Sequence, residues 1–269
     1  MKHLKHLTIF LSLLLALCLP VAAEEAVTVL IDGAPLNTSA AQSRIHNGST
    51  YVPLVDFAAA VGLDSVRWDG SAARVAAGGM TVTAAPGQSY LTAGERCFYL
   101  PSGVMLTEGR TLVPVTALAA AYGFGVAWDG RTATVSLTSG AGKAFSGYDG
   151  EELDWLSRII SAESRGEPLA GQIAVGNVVR SRVASSQFPD SLPEVILDTR
   201  YGVQFEPVSN GTLWDEPAAI SVLAAKMVLE GANTAGNSLY FYNPSLSNST
   251  WFDENRTHFT TIGCHRFYL

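Results

Sequence analysis

Apolar residues recur at helical spacing in the second half of the chain. The pattern predicts three helices, over residues 151–163, 168–184 and 217–231. In the first of them Leu156, Ile159 and Ile160 form the apolar face. Residues 199–214 are interpreted as a long connection, a type of segment that is often functional in compact domains. The aromatic-rich tail predicts loops and short strands around a groove.

The first half of the chain contains an internal repeat. "NGSTYVPLVDFAAAVGLDSVRWDG" (47–70) aligns with "EGRTLVPVTALAAAYGFGVAWDG" (108–130). Each unit predicts a strand, a helix that begins at proline, a strand that carries tryptophan, an Asp-Gly turn and a closing strand. The closing strands are predicted at 72–77 and 132–137.

Each repeat unit carries one tryptophan, Trp68 or Trp128, directly before its Asp-Gly turn. We expect each indole to pack against the small helix of its own unit. The alternative is an exposed indole that stacks on sugar rings. The repeat alone shows only that the unit was duplicated.

Together these patterns predict an α+β chain with two domains. Residues 24–138 form a duplicated, mainly-β module with small helices, and residues 148–269 form a mainly helical domain. The segment between them, 139–147, is rich in glycine and serine and is therefore predicted to be a linker.

Residues 1–23 have the pattern of a secretory signal peptide. Lys2 and Lys5 precede a short apolar run, and small residues precede an expected cleavage site after Ala23. The apolar run is too short to span a membrane. We expect a secreted, extracytoplasmic protein without stable membrane insertion after cleavage, and retention as an uncleaved anchor is the alternative.

The net charge, the cysteines and the histidines argue against several classes of function. Loss of two lysines with the signal peptide lowers the formal net charge from -7 to -9, which argues against binding to a nucleic-acid backbone. Cys97 and Cys264 are expected to be isolated thiols. The three remaining histidines lack metal-ligand spacing, so we expect neither a metal nor another cofactor. They are His46, His258 and His265.

Glu163 is the strongest candidate for chemistry. It lies in "SAESRGEP" (161–168), seven residues after Leu156 and three after Ile160, so it projects from the apolar face of the predicted helix. A carboxyl group that points inward at a helix terminus is a candidate general acid with a raised pKa. The alternative is a solvated glutamate that caps the next helix.

Amide and aromatic residues in the irregular segments are candidates for a glycan groove. Rings can stack on the apolar faces of sugars, and amides can bond hydroxyl and acetamido groups. The candidates are Gln204, Phe205, Tyr242 and Asn243. Phe205 could instead belong to the core, Tyr242 could only pack, and Asn243 before Pro244 could only form a turn.

No second catalytic acid is evident from the sequence. Glu167 and Glu206 are the nearest candidates, but both are interpreted as solvated carboxylates in loops. His265 is interpreted as a structural histidine, and Gln172 either supports the site or caps a helix.

The repeat resembles the copper amine oxidase N-terminal-like domain, a stalk-type module of exported bacterial proteins. The resemblance covers about residues 27–138 and is carried by the "VPL" and "VPV" segments and the two "WDG" triplets. It implies a spacer or adhesion role, with contacts to the cell wall or to another surface protein. No copper chemistry follows, because the module lacks a cluster of ligands.

Residues 150–269 resemble the cell wall hydrolases of the spore cortex-lytic type. The resemblance is carried by "SAESRGEP", "GQIAVGNVVRSRV", "FPDSLPEVI", "QF" at 204–205 and the ending "IGCHRFY". The family is similar to the lysozyme-like lytic transglycosylases. The resemblance therefore implies a lysozyme-like fold, peptidoglycan glycan strands as substrate, Glu163 at the catalytic position, and Tyr242-Asn243 in the same cleft.

The implied reaction breaks the bond between N-acetylmuramic acid and N-acetylglucosamine. One glutamate acts first as acid and then as base, and the muramic C6 hydroxyl closes a 1,6-anhydro ring. Most glycosidases use two carboxylates instead. Two alternatives remain open at this point: a muramidase that uses water, and a wall-binding protein without catalytic activity.

Overall fold

The chain is an α+β protein. The computed structural model describes residues 27–38, 42–200, 202–246 and 251–269. The predicted signal peptide, 1–23, lies outside the described residues. Strands dominate as far as residue 138 and helices dominate from residue 150 onwards. Within the described ranges, no helix has the length and apolar character needed to cross a membrane.

The first domain is built from short strands and two short helices. Its strands are β1 (Thr28–Ile31), β2 (Ala34–Pro35), β3 (Arg44–His46), β4 (Ser49–Pro53), β5 (Arg67–Trp68), β6 (Ala73–Ala77), β7 (Met80–Ala84), β8 (Tyr90–Ala93), β9 (Arg96–Tyr99), β10 (Met105–Thr107), β11 (Arg110–Pro114), β12 (Gly125–Asp129) and β13 (Thr134–Thr138). Its helices are α1 (Leu54–Ala60) and α2 (Val115–Tyr122). Each helix follows directly after a proline, as the repeat predicts.

The two repeat units pair with each other through their matching strands. β4 and β11 run antiparallel, and Val52 lies opposite Val113, its equivalent in the repeat. These two strands form the centre of a four-stranded sheet in the order β10-β11-β4-β3. A second sheet has the order β12-β13-β1-β2. In it, the first strand of the domain, β1, runs parallel to β13, which is the last. The duplication therefore produces one interlocked domain with a shared core.

The prediction that both tryptophans pack against the small helices is wrong. Trp68 is 54% exposed and Trp128 is 52% exposed. Both lie on strands at the edge of a sheet, where no further strand covers them. In the first unit, Phe57 of α1 packs against Tyr122 and Phe124 of the other unit instead. The helix face is thus already covered by aromatic residues from across the repeat.

The second domain is mainly helical. Its helices are α3 (Gly150–Ser164), α4 (Leu169–Val183), α5 (Leu192–Ile196), α6 (Glu206–Asn210), α7 (Ala219–Leu229) and α8 (Trp251–Asn255), with a 3-10 helix at Thr212–Trp214. Its strands are β14 (Tyr240–Tyr242), β15 (His258–Ile262) and β16 (His265–Tyr268), in the order β14-β16-β15. The three predicted helices are confirmed to within two residues at each end. The segment predicted as a long connection instead contains α6 and the 3-10 helix.

Close packing of α3, α4 and α7 forms the core of this domain. Gly176 permits the approach, since a Cβ at this position would lie 2.8 Å from Ile160 Cδ1 and 2.9 Å from Val228 Cγ2. Ten of the fifteen residues of α4 are buried. A core packed at this density fixes the ends of α3 and α4, from which the candidate site is built.

The two domains meet at a buried ion pair. Arg96 on β9 donates through Nε and Nη2 to the two carboxylate oxygens of Glu230, at 2.7 and 2.6 Å. Tyr148 donates a third hydrogen bond to Glu230, and the side chains of Arg96 and Glu230 are only 11% and 10% exposed. Cys97, a free thiol, packs into the core of the second domain. The Arg96 guanidinium also lies over Phe145 of the predicted linker.

Glu230→Ala is expected to lower the free energy of unfolding by about 3 kcal/mol, because it leaves the Arg96 cation buried without its carboxylate. Chemical denaturation measures the change. Asp154→Ala is the matched control, since Asp154 pairs with Arg158 at an exposed position and its loss should cost less than about 0.5 kcal/mol. Equal effects of the two substitutions would show that the interface pair contributes no more than a surface pair.

Candidate active site

Glu163 is the penultimate residue of α3. The helix is capped by Asp149, whose carboxylate accepts a hydrogen bond from Glu152 N, and its face with Leu156 and Ile160 is fully buried. Glu163 itself is half-buried where α3 ends. It does not cap the next helix, because α4 begins at Leu169, directly after Pro168, and no side chain caps it. The alternative from the sequence, a solvated glutamate that caps the next helix, is therefore wrong.

The surroundings of Glu163 favour its protonated form. Burial raises the pKa of the Glu163 carboxyl to about 7; the negative charge of Glu206 adds to the rise, and the positive charge of Arg182 opposes it. Among the described residues, none donates a hydrogen bond to this carboxyl group. A carboxyl group with such a pKa holds its proton in an appreciable fraction of molecules at neutral pH, as a general acid requires.

Arg182 is a buried cation beside Glu163. It lies on α4, is 5% exposed, and donates from Nε to the backbone oxygen of Leu239 at 2.8 Å. Its guanidinium is enclosed by three aromatic rings, with ring centroids at 4.9, 5.0 and 5.7 Å; the rings belong to Phe188, Phe205 and Tyr240. In the described part of the chain, its Nη1 has no hydrogen-bond partner.

Arg182 keeps its positive charge although it is buried. Burial lowers the pKa of Arg182 to about 10, and Tyr240, Asp198 and Glu163 oppose that effect. A guanidinium with this pKa is still positive at neutral pH. Arg182 therefore supplies a fixed positive charge to the Glu163 carboxyl group.

β14 directs two tyrosines to the same side of the site. Successive residues of a strand point to opposite faces, so Tyr240 and Tyr242 share one face and Phe241 points into the core. Tyr240 lies beside the Arg182 guanidinium. Tyr242 donates its hydroxyl to Asp253 at 2.8 Å and stacks on Phe252. Tyr242 and Tyr240 thus lie on one face of β14, and Tyr240 is the tyrosine beside the Arg182 guanidinium.

The other predicted groove residues are engaged locally. Asn243 accepts a hydrogen bond from Ser245 N at 2.9 Å, which is the turn that the sequence left as an alternative. Gln204 donates to Gly202 O at 3.1 Å. Phe205 is 2% exposed and packs in the core below the Arg182 guanidinium. The structure brings together Glu163, Arg182, Phe205, Tyr240 and Glu206, and it places Gln204, Tyr242 and Asn243 in contacts elsewhere.

The two additional glutamates have different environments. Glu206 is exposed and begins α6, and its charge acts on Glu163. Glu167 is instead a structural tie, because its Oε2 accepts a hydrogen bond from Cys264 N at 2.9 Å and its backbone oxygen accepts one from Gln172. Its other oxygen lies 3.8 Å from Nδ1 of buried His265, so Glu167 holds the β15–β16 hairpin against the start of α4. Neither glutamate lies in a group of three or more metal-ligand side chains among the described residues.

Gly263→Ala is expected to break the Glu167 tie. Gly263 has a φ of +58°, and an added Cβ would lie 1.8 Å from Glu167 Oε2, so either the carboxylate or the hairpin must move. We expect a loss of about 2–3 kcal/mol in the free energy of unfolding. Gly78→Ala, at a φ of +55° with open space around it, is the matched control for backbone strain alone. If both substitutions have the same effect, the Glu167 contact contributes nothing.

Comparison with known families assigns both domains. The family described as Cell Wall Hydrolase matches residues 166–268. The second domain is therefore similar to the cell wall hydrolases over these residues. The match begins three residues after Glu163 and does not include it. Residues 30–137 match the family described as Copper amine oxidase N-terminal domain, and both resemblances predicted from the sequence are confirmed.

Curated relatives of the cell wall hydrolase domain are spore cortex-lytic enzymes. The one from Oceanobacillus iheyensis is 34% identical over 121 residues, which are 45% of this chain and 42% of the relative. The one from Bacillus cereus is 33% identical over 122 residues, 45% of this chain and 46% of the relative. The chain therefore spans less than half the length of these relatives.

A solved structure also aligns with this part of the chain. It is the catalytic domain of a germination-specific lytic transglycosylase from Bacillus anthracis, with 32% identity, a TM-score of 0.42, and coverage of 47% of this chain and 100% of that one.

Proposed function

We propose that the cell wall hydrolase domain cleaves peptidoglycan between N-acetylmuramic acid and N-acetylglucosamine, with Glu163 as its acid and base. The observation that carries this proposal is the Glu163 carboxyl group, whose pKa burial raises to about 7, next to the fixed cation Arg182. The names of the relatives, spore cortex-lytic enzyme and lytic transglycosylase, support peptidoglycan as the substrate.

In the proposed reaction, protonated Glu163 donates its proton to the glycosidic oxygen. The bond from that oxygen to the muramic C1 breaks, and the N-acetylglucosamine leaves as an alcohol while positive charge develops at C1. The Glu163 carboxylate then takes the proton of the muramic C6 hydroxyl. The C6 oxygen attacks C1 and closes the 1,6-anhydro ring, which returns Glu163 to its protonated form without consuming water.

Arg182 balances the charge of this cycle. After Glu163 has donated its proton, the cleft holds a carboxylate in a desolvated position. The buried guanidinium stabilises that carboxylate, which permits Glu163 to release the proton as well as hold it. Tyr240 lies against the same guanidinium and keeps it in place.

The position of Glu206 favours one alternative, a muramidase that uses water. Its carboxylate is close enough to act on Glu163, and it is exposed to solvent at the start of α6. A second carboxylate could activate a water molecule for attack at C1. Glu206→Gln separates the two reactions when rates are compared at a pH below the falling limb: transglycosylation retains its rate there, whereas hydrolysis through Glu206 loses about two orders of magnitude.

We place the protein outside the cytoplasm, at the cell wall, as the predicted signal peptide and the peptidoglycan substrate require. The first domain is proposed to contact the wall or a neighbouring surface protein.

Release of soluble material from purified sacculi tests the proposal against simple binding. We expect the protein to clear a sacculus suspension and to release muropeptide-bearing glycan, measured by loss of turbidity and by a muramic-acid assay of the supernatant. Protein that sediments with sacculi while releasing no fragments from either vegetative or cortex preparations would instead be a wall-binding protein.

A further inference from the structure

Trp68 lines a groove of the first domain. The groove is also lined by Leu54 and Val55 at the start of α1 and by Leu106 and Arg110 of the β10–β11 hairpin. The cavity has a volume of about 390 Å³, within the range of sites for small ligands. Trp68 is 54% exposed and Leu106 is 58% exposed, so apolar surface remains uncovered in the groove.

The charge in this groove is positive although the protein is acidic overall. Arg110 is the charged side chain among the lining residues, while the whole chain has a formal net charge of -7. Within the described part of the chain, no carboxylate pairs with Arg110. A half-exposed indole and an available guanidinium in one groove suit a ligand with an apolar ring face and an anionic group.

From this geometry we infer that the Trp68 groove is a second glycan-binding site, which takes a segment of the peptidoglycan strand. A pyranose ring stacks on the Trp68 indole, and Arg110 pairs with a carboxylate of the wall polymer, either on the muramic lactyl group or on a stem peptide. This inference rests on the proposed function, because a strand that is cut in the second domain is the polymer within reach of the first.

The domain interface links the Trp68 groove to the second domain. The buried Arg96–Glu230 pair and the packing of Cys97 into the second domain hold the groove at a fixed position relative to Glu163. A glycan segment bound at Trp68 keeps an insoluble strand near the cleft between successive cleavages. Two sites on one rigid body raise the effective concentration of the strand at the second site.

Co-sedimentation with purified sacculi tests the inference, with every variant built on Glu163→Gln so that the strands stay uncut. Trp68→Ala is expected to raise the apparent Kd about fivefold to tenfold. Trp128→Ala is the matched control, because Trp128 is the repeat equivalent, is 52% exposed and does not line this groove, and it should change the Kd less than about twofold. Thermal melts check that both variants fold.

Arg110→Gln is the second variant, and it keeps the test decisive if Trp68→Ala does not fold. It should weaken binding severalfold, and the loss should shrink as salt is added. An amidase removes the stem peptides and at the same time frees the lactyl carboxylates, so titrations on intact and on stripped sacculi compare the two carboxylates. A larger effect of Arg110→Gln on stripped sacculi assigns the lactyl group, and a smaller effect with intact sensitivity to Trp68→Ala assigns the stem peptide.

Two results would overturn the inference. One is equal binding by the parent and by both groove variants, and the other is equal loss with Trp68→Ala and Trp128→Ala. A dimer in sedimentation of the protein alone that Trp68→Ala dissociates would instead assign the groove to a second copy of the chain. Cleavage of sacculi by the unmutated protein is scored separately, so the groove can fail while the proposed function stands.

Discussion

Glu163→Gln is expected to lower the rate of sacculus cleavage about 1,000-fold, because the amide cannot donate the proton that the glycosidic oxygen needs. Initial rates of turbidity loss, and fragment release where turbidity is too slow, measure the effect. Glu167→Gln is the matched control, since Glu167 lies in the same segment but is bound to Cys264 N at 2.9 Å. A comparable loss with the control would place the effect in the fold of the segment.

The same substitution has a predicted effect on stability that depends on pH. The pKa of Glu163 is raised on folding, so the folded protein binds this proton more tightly than the unfolded chain does. The unmutated protein therefore loses stability as the pH rises from about 4.5 to about 7, on the order of 1–3 kcal/mol. Glu163→Gln removes this loss, so the variant should melt at a higher temperature than the parent at pH 8 and close to it at pH 4.

Arg182→Met is expected to shift the pH dependence of cleavage upward. Activity requires protonated Glu163, so kcat/KM should fall as the pH rises through about 7. Without the cation the pKa of Glu163 rises further, and the falling limb should move by about one pH unit to higher pH. The rate at low pH should fall as well, because the carboxylate that forms after proton donation is no longer stabilised.

Two further variants separate charge from packing in this prediction. Arg182→Lys keeps the positive charge, so its falling limb should lie near that of the unmutated protein. Glu206→Gln removes a negative charge and should move the limb to lower pH. If methionine, which packs well among the rings of Phe188 and Phe205, leaves the profile unchanged while lysine disturbs it, Arg182 has only a packing role.

The strand and helix order of the first domain was predictable because the repeat keeps the same Val-Pro step at the end of β4 and of β11. The valines that align in the sequence, Val52 and Val113, lie opposite each other on β4 and β11, so similarity along the chain became pairing in space. The expectation that both tryptophans pack against the small helices was wrong because it was based on the side chain alone. Its size favours burial, but the short strand that carries Trp68 lies at a sheet edge, and edge position depends on the order of strands.

Glu163 could be found because a carboxylate breaks the apolar face of α3. The same test would have found Arg182, which lies seven residues after Val175 and three after Val179 on the buried side of α4. Tyr240 could have been found too, since alternation along a strand gives it the same face as Tyr242. The effect of Glu206 on Glu163 could not, because it depends on how α6 packs against the end of α3.

Mass spectrometry of the fragments released from purified peptidoglycan tests the central claim most directly. The digest should be run with the unmutated protein and with Glu163→Gln, in water enriched in oxygen-18. The account predicts muramic ends that lack one water and carry no label, formed by the unmutated protein alone. Labelled reducing ends would contradict the single-glutamate reaction, and equal products from Glu163→Gln would contradict the assignment of Glu163.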